Sequence, residues 1–429
     1  MTSLGTLRSD NVGYSQARGI SADGSTVVGY AETDDGPYNA FIWREATGMT
    51  GLGTLRSDSN GYSEARGVSA DGSVVVGWAE TDSGNRHAAV WKVKYPVPPV
   101  TPPVTPPVTP PVTPPVVPPM VTIVDATNSG KSMGDTGRRG FKVLGLYQNS
   151  LNSLNRSRCQ LGQSDHCIGV FSQYDTISSN HRIATGLFGA LRLPVENWTV
   201  GGAINFANGT KLVDNYDSRG SNQPGMGVFT RYQQHLDNTG LSAEISGAFL
   251  QQGVTITRDK QQNTEAGKGD SRIKGYQMSL RAQYVVAVSP STAVSPEVSL
   301  THRRVTRNGY TETRNAEFAA TYGRMRNTRT ELQAGVSTAH HLSETVQLEG
   351  NLGAKVKLHS ERDAFTGRIP YIGAYAYDAG DERTVSPYVS AGINVNVTKN
   401  STVRANAGWQ QTDYRHDAAS IGVSYSYHW

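Results

Sequence analysis

The stretch ETVQLEGNLGAKVKL, residues 344–358, alternates with a period of two. Val346, Leu348, Gly350, Leu352, Ala354, Val356 and Leu358 fall on one face, and Gln347, Glu349, Asn351, Lys355 and Lys357 on the other. Successive side chains of a strand point to opposite sides, so this stretch is predicted as a strand with one face suited to lipid and one to water. The same split sets Trp198, Val200, Ile204 and Phe206 against Thr199 and Asn205, and Met278, Leu280, Ala282 and Tyr284 against Gln277, Arg281 and Gln283. A soluble β-sandwich also alternates, so the number of segments and their connections must decide.

Strands are predicted near residues 167–175, 181–193, 196–206, 224–236, 240–253, 270–288, 292–304, 327–341, 343–359, 384–397, 400–411 and 416–428. Twelve is an even number, as bacterial outer-membrane barrels require. Every second junction is short: Pro194-Val-Glu196, Asp237-Asn-Thr-Gly240, Ser289-Pro-Ser-Thr292, Leu342-Ser-Glu344 and Lys399-Asn400. Most of the others are long and polar, as at residues 208–220, 258–270, 306–327 and 362–385. Short turns at one end and long loops at the other are the habit of such barrels, whose turns face the periplasm.

Composition agrees. Apolar residues make up 37% and charged residues 18% of the 429, with 46 glycines. That is too little apolar content for a large packed globule and too little charge for a disordered polymer. No run approaches the roughly 18 to 20 apolar residues of a membrane-spanning helix. A mean hydropathy of -0.45 suits strands that turn polar residues inward. A net charge of +4 is too small on this length to imply nucleic acid. The expected fold is all-β, a 12-stranded outer-membrane β-barrel with a luminal α-helix, preceded by a β-repeat region.

Residues 4–44 and 52–92 are two copies of one repeat, identical at 28 of 41 positions with a period of 48. Asp23-Gly24 favours a tight hairpin between Ala17-Arg-Gly-Ile-Ser21 and Ser25-Thr-Val-Val-Gly-Tyr-Ala31. Asn39-Ala-Phe-Ile-Trp43 and Thr50-Gly-Leu-Gly-Thr-Leu55 complete four strands per period, the arithmetic of a propeller blade. Trp43 and Trp91 share a repeat position and are expected to pack inward; with Tyr30 and Trp78 they are also candidates for a sugar or surface contact. Glu32-Thr-Asp-Asp35 reads as a hairpin loop, or as a calcium site. The wording ARGISADGSTVVGYAETDDG, then NAFIW and GLGTL, resembles the HAF family of bacterial extracellular repeats over residues 4–92. A propeller closes with ~4 to 8 blades, so the pair is expected to be incomplete. Met1-Thr2-Ser3-Leu4-Gly5 show neither the basic nor the apolar region of a secretory signal. Between repeats and barrel, residues 96–119 hold 13 prolines in 24 positions and predict a polyproline II spacer of roughly 75 Å at ~3.1 Å per residue.

At the end of the chain Ile421, Val423, Tyr425, Tyr427 and Trp429 alternate with Gly422, Ser424, Ser426 and His428. This resembles the C-terminal signal read by the barrel-assembly machinery of Gram-negative bacteria, with Val423, Tyr425, Tyr427 and Trp429 as its residues. Together with VFSQYD, ATGLFGALRLP and NWTVGGAINFANGT, it makes residues 141–429 resemble the translocator domain of an autotransporter, the type V secretion system. The resemblance implies a passenger at 1–95, a proline-rich linker at 96–120, a linker and pore-spanning helix at 121–165, and the barrel at 166–429. It implies outer-membrane lipid, the barrel-assembly machinery and periplasmic chaperones as partners, with a host-surface ligand for the passenger. It implies no cofactor, no nucleic acid and no catalysis. The other readings are a soluble secreted β-repeat binding protein and a protease-like barrel enzyme using His340 or His341.

Phe141 to Arg158 offers one helical pattern, with Leu144, Tyr147, Leu151 and Leu154 on a stripe and Arg156 near its end. It fits either a solvent-facing helix or a helix inside a polar channel. In the channel, Arg138, Arg139, Lys142, Arg156 and Arg158 are candidates to pair with Glu244, Glu331 and Glu349. Cys159 and Cys167 in an exported chain most simply form one disulfide; a metal site with His166, or free thiols, are the alternatives. No G-x-S-x-G elbow or H-E-x-x-H motif occurs. Gly269-Asp270-Ser271 matches the start of a lipase motif but falls in a barrel loop. The Asn-Asn pair at which some autotransporters cut themselves is missing from the helix, which has Asn149, Asn152 and Asn155.

Overall fold

The computed structural model describes residues 2–95, 119–220, 223–380, 382–412 and 416–429. Two four-stranded antiparallel sheets lead the chain. The first runs β1 (Ser15–Ile20), β2 (Val27–Glu32), β3 (Tyr38–Arg44), β4 (Gly48–Gly51). The second runs β5 (Ser63–Val68), β6 (Val74–Glu80), β7 (Arg86–Lys94), β8 (Met120–Asp125). Asp23 closes the first hairpin: its carboxylate accepts from Ser21 Oγ at 2.5 Å and from Ser25 N at 3.0 Å, with Gly24 at φ +74°. Val28, Ile42, Leu52, Leu55, Ala65, Val75 and Trp91 form one core shared by both sheets, and Ala40 N donates to Ser63 Oγ across the gap at 2.8 Å.

The repeats differ in their fourth strand. The first takes β4 from residues that directly follow β3, and the second takes β8 from beyond the prolines. One period after Gly48–Gly51 stand Pro96, Pro98 and Pro99, and residues without N–H donors cannot hold a ladder. Of the polyproline rod expected at residues 96–119, residues 96–118 lie outside the described residues. Its flanks correct the reading that it separates repeats from barrel. Lys94 and Met120 are ladder partners, so the two ends of the segment meet, and its length sets no distance between the domains.

From β8 the chain passes without a break into α1 (Ala126–Arg156), the one helix among the described residues. The expected linker after residue 121 is therefore strand and helix, and the helix begins fifteen residues before Phe141. Then follow β9 (His166–Ile177), β10 (Asn180–Arg192), β11 (Trp198–Lys211), β12 (Tyr216–Arg219), β13 (Gly225–Gln233), β14 (Gly240–Thr257), β15 (Lys268–Ser289) and β16 (Thr292–Arg307). The rest are β17 (Tyr310–Thr311), β18 (Thr321–Tyr322), β19 (Met325–His341), β20 (Val346–Arg362), β21 (Phe365–Ile369), β22 (Gly373–Tyr377), β23 (Val385–Thr398), β24 (Ser401–Gln411) and β25 (Asp417–His428).

Twelve of these, all but β12, β17, β18, β21 and β22, form one antiparallel ring, closed where β25 pairs with β9 and β14 with β15. Closure leaves no edge, so every strand backbone is bonded in lipid. The alternation holds in three dimensions. Leu348, Leu352, Val356 and Leu358 lie exposed on the outer wall, while Lys355 is buried inside. On β14, Leu241, Ile245 and Phe249 face out, and Ser242, Glu244 and Ser246 face in. At the long-loop end, β17, β18, β21 and β22 make a second small sheet over the mouth.

Candidate functional site: the barrel lumen and its helix

α1 starts at the long-loop end, where the Asp125 carboxylate accepts from Asn128 N at 3.0 Å, and ends in the short-turn half. Its first half is rich in glycine and passes between loops. A Cβ on Gly137 would lie 2.5 Å from Phe365 Cδ1, and one on Gly130 2.2 Å from Tyr375 Cε1. Glycine is what lets those rings lie against the helix backbone. Its second half carries the expected stripe: Leu144, Tyr147, Leu151 and Leu154 are all 2% exposed or less. Leu151 packs onto Gly275 of β15, and Leu154 onto Gly225 and Gly227 of β13, where the wall offers no side chain.

Polar side chains in the second half of the helix bond to the wall. Asn149 accepts from Gln410 Nε2 at 2.6 Å and donates to Ala419 O at 3.3 Å. Ser153 Oγ donates to Asp175 at 2.5 Å, and Asn155 Nδ2 to Ser246 Oγ at 3.1 Å. At the long-loop end Arg139 meets Asp259 at 3.4 Å, and Asp259 N donates to Thr136 Oγ1 at 3.0 Å. Of the two environments left open for the helix, the structure has the polar channel.

Among the five basic residues expected to meet Glu244, Glu331 or Glu349, Arg158 alone does so, pairing with Glu244, which Arg231 also holds at 2.8 Å. Arg138 pairs instead with Asp135 of its own helix at 2.8 Å. Glu331 is held by Arg303 at 2.6 Å and Arg329 at 3.1 Å, and Glu349 by Arg404, all wall to wall. Arg156, the last helical residue, is exposed and lines the widened part of the lumen. These wall partners were missed, although period two in His302-Arg-Arg-Val-Thr-Arg307 and Arg329-Thr-Glu331 puts Arg303, Arg329 and Glu331 on the polar face. Cys159 and Cys167 are bonded, with Cα atoms 6.2 Å apart, which ties the exit of the helix to the start of β9.

At the closing seam Val423, Tyr425, Tyr427 and Trp429 all face outward, and His166 N donates to Trp429 O at 3.0 Å. His340 and His341 lie at the short-turn end, beside Thr292 and Gln347. Asp270 is engaged by Thr255 and Arg314 at 2.7 Å each, and Ser271 donates to Asn308 O. Trp91 is fully buried in the repeat core, and Trp78 bonds Glu64 at 3.2 Å with Arg86 over its ring.

A closed twelve-stranded antiparallel ring with a helix bonded along its lumen defines an outer-membrane translocator-type barrel. The chain belongs to the autotransporter β-domain family: residues 169–408, more than half its length, match the family described as Autotransporter beta-domain. The translocator domain of the autotransporter NalP from Neisseria meningitidis has the same fold, with a TM-score of 0.50 at 12% identity, over 70% of this chain and 99% of that one. The β domain of the Bordetella autotransporter BrkA is similar at a TM-score of 0.44 and 13% identity, over 62% of this chain and 100% of that one. The transport unit of AIDA-I from Escherichia coli is similar at 0.41 and 14%, over 67% and 99%. No curated protein matches the chain. Family membership puts this barrel in the outer membrane.

Proposed function

We propose that this chain translocates and anchors its own N-terminal repeats at the cell surface, where they act as an adhesin or host-interaction module of the HAF type. The observation that carries the reading is continuity: β8 is at once the outer strand of the second repeat and the lead into α1, so whatever holds the helix in the lumen also holds the repeats at the long-loop end. The barrel-assembly machinery and periplasmic chaperones would deliver the chain, with Val423, Tyr425, Tyr427 and Trp429 as the assembly signal. The role needs no cofactor and no chemistry. The bonded lumen and the Cys159–Cys167 tie favour a passenger that stays attached.

Protease shaving of intact Gram-negative cells tests it, using the chain behind a signal peptide with an epitope tag before Gly5. Loss of the tag with survival of a membrane fragment of about residues 121–429 supports display. A protected tag with the barrel region degraded in extracts removes the reading.

A further inference from the structure

Beside the last two turns of α1 the lumen widens into a cavity of about 140 Å³, bounded by the helix and by β9, β23, β24 and β25. A single water needs ~10–15 Å³ by such a measure, so a hydrated ion fits. Asn149, Asn152, Gln410 and Asn406 line it with amides, and Arg156, Arg158 and Arg404 supply its charged groups; among the described residues no carboxylate lines it.

The surrounding charge does not balance. Arg156, Arg158 and Arg404 line the cavity; behind them Arg231 shares Glu244 with Arg158, and Arg281, with its partner Glu297, also faces Arg156. Against them stand Glu244, held by Arg158 and Arg231, Glu297, held by Arg281, and Glu349, held by Arg404. Among the described residues, these five guanidiniums less three carboxylates leave a surplus of two positive charges. The C-terminal carbonyls of α1 offset roughly half a charge of it. Among the described residues no carboxylate pairs with Arg156, whose side chain is exposed to the cavity. Like charges gathered in a pore surrounded by lipid repel strongly, because low-dielectric walls weaken screening. A planar guanidinium with free N–H groups is a bidentate partner for an oxyanion.

We propose that this cavity is a binding site for a small oxyanion of the phosphate or sulfate class, held by Arg156 with help from Arg158 and Arg404, and that it makes the resting lumen anion-selective. The neutral amides complete the shell without competing charge. The site concerns the barrel alone and does not depend on what the repeats bind.

The test is calorimetric titration of inorganic phosphate into the full chain in detergent, at constant ionic strength, on wild type, Arg156→Gln and Arg192→Gln. Arg192 lies outside the cavity, at 2.9 Å from Asp165 on the short-turn rim. Heat-dependent gel migration reports that each variant is a closed barrel, so a folding defect is read separately. Saturable binding, weakened about tenfold or more in Arg156→Gln and unchanged in Arg192→Gln, is the expected result, since a charge-assisted bond is lost. Planar-bilayer recordings across a potassium chloride gradient should show a zero-current potential of anion sign that shrinks in Arg156→Gln. No saturable binding by the folded wild type, or equal affinity in wild type and Arg156→Gln, overturns the site; a cation-selective wild type overturns the selectivity.

Discussion

The carboxylate of Asp125 lies 2.5 Å from His87 Nδ1 of β7 and also caps the first turn of α1, accepting from Asn128 N. The side chain is fully buried. One residue thus closes the β7–β8 ladder, starts the helix and joins the repeats to the barrel. Asp125→Ala removes both bonds. The lost cap alone costs about 1 kcal/mol. Hydrogen exchange should speed up over residues 126–130 and β8 while β9 and β25 stay protected; unchanged exchange in the first helical turn would count against the capping role.

Glu244 is the wall carboxylate that holds the exit of the helix, through Arg158. Glu244→Gln leaves Arg158 and Arg231 buried without their counter-charge, which is far costlier than losing an exposed pair. Single-channel recordings should show higher or noisier conductance. Glu349→Gln breaks the wall pair with Arg404 and should leave the helix in place. Equal effects of the two would contradict the assignment.

Gly137→Ala sets two effects against each other. Alanine is the better helix former by roughly 1 kcal/mol. Its Cβ would meet the Phe365 ring at 2.5 Å, a contact that forces a packed ring or the helix to move. Overpacking of this kind costs about 1–3 kcal/mol, so the net effect should be destabilising. Faster exchange in α1 and β21 is the expected reading, and Phe365→Ala in the same chain should relieve it.

Acid should loosen the repeats. Hydrogen bonds from Ser21 and Ser25 hold the Asp23 carboxyl down at about 2, and Ser69 and Ser73 hold Asp71 likewise. The bonded guanidiniums of Arg8 and Arg56 hold Asp10 and Asp58 down at about 2. A depressed carboxyl contributes stability that is present above its unfolded value, near 3.8, and is lost as pH falls through the folded one. Near-ultraviolet circular dichroism of the repeats should therefore hold from pH 7 to 5 and decay between about 4 and 2. Added salt should weaken the arginine pairs and spare the serine bonds.

The barrel could be read from the sequence because lipid imposes a local rule. Each strand must turn apolar groups out and polar groups in, so period two in residues 344–358 or 416–428 survives without knowledge of any neighbour. The stripe of Leu144, Tyr147, Leu151 and Leu154 was legible for the same reason. The first half of α1 was not. Thr127-Asn-Ser-Gly-Lys-Ser-Met-Gly-Asp-Thr-Gly137 holds three glycines and few apolar residues, and its intrinsic preference is for loop. It is helical because Tyr375, Phe365 and the lumen wall enclose it.

The chain by itself determined two repeats with their Asp-Gly hairpins, a proline-rich break, twelve alternating strands and a terminal aromatic seam. Each is written in nearest-neighbour periodicity, in residues that accept positive φ, or in residues without an N–H. Tertiary structure decided what joins across distance. It made Met120–Asp125 the outer strand of the second repeat, paired Glu244 with Arg158, and gathered Arg156, Arg158 and Arg404 around one cavity. It also buried Ser63 and Ala65 while leaving their repeat counterparts Ser15 and Ala17 exposed. Near-identical local sequence, SQARGI against SEARGV, has one local preference, and burial depends on which surface the fold brings opposite it.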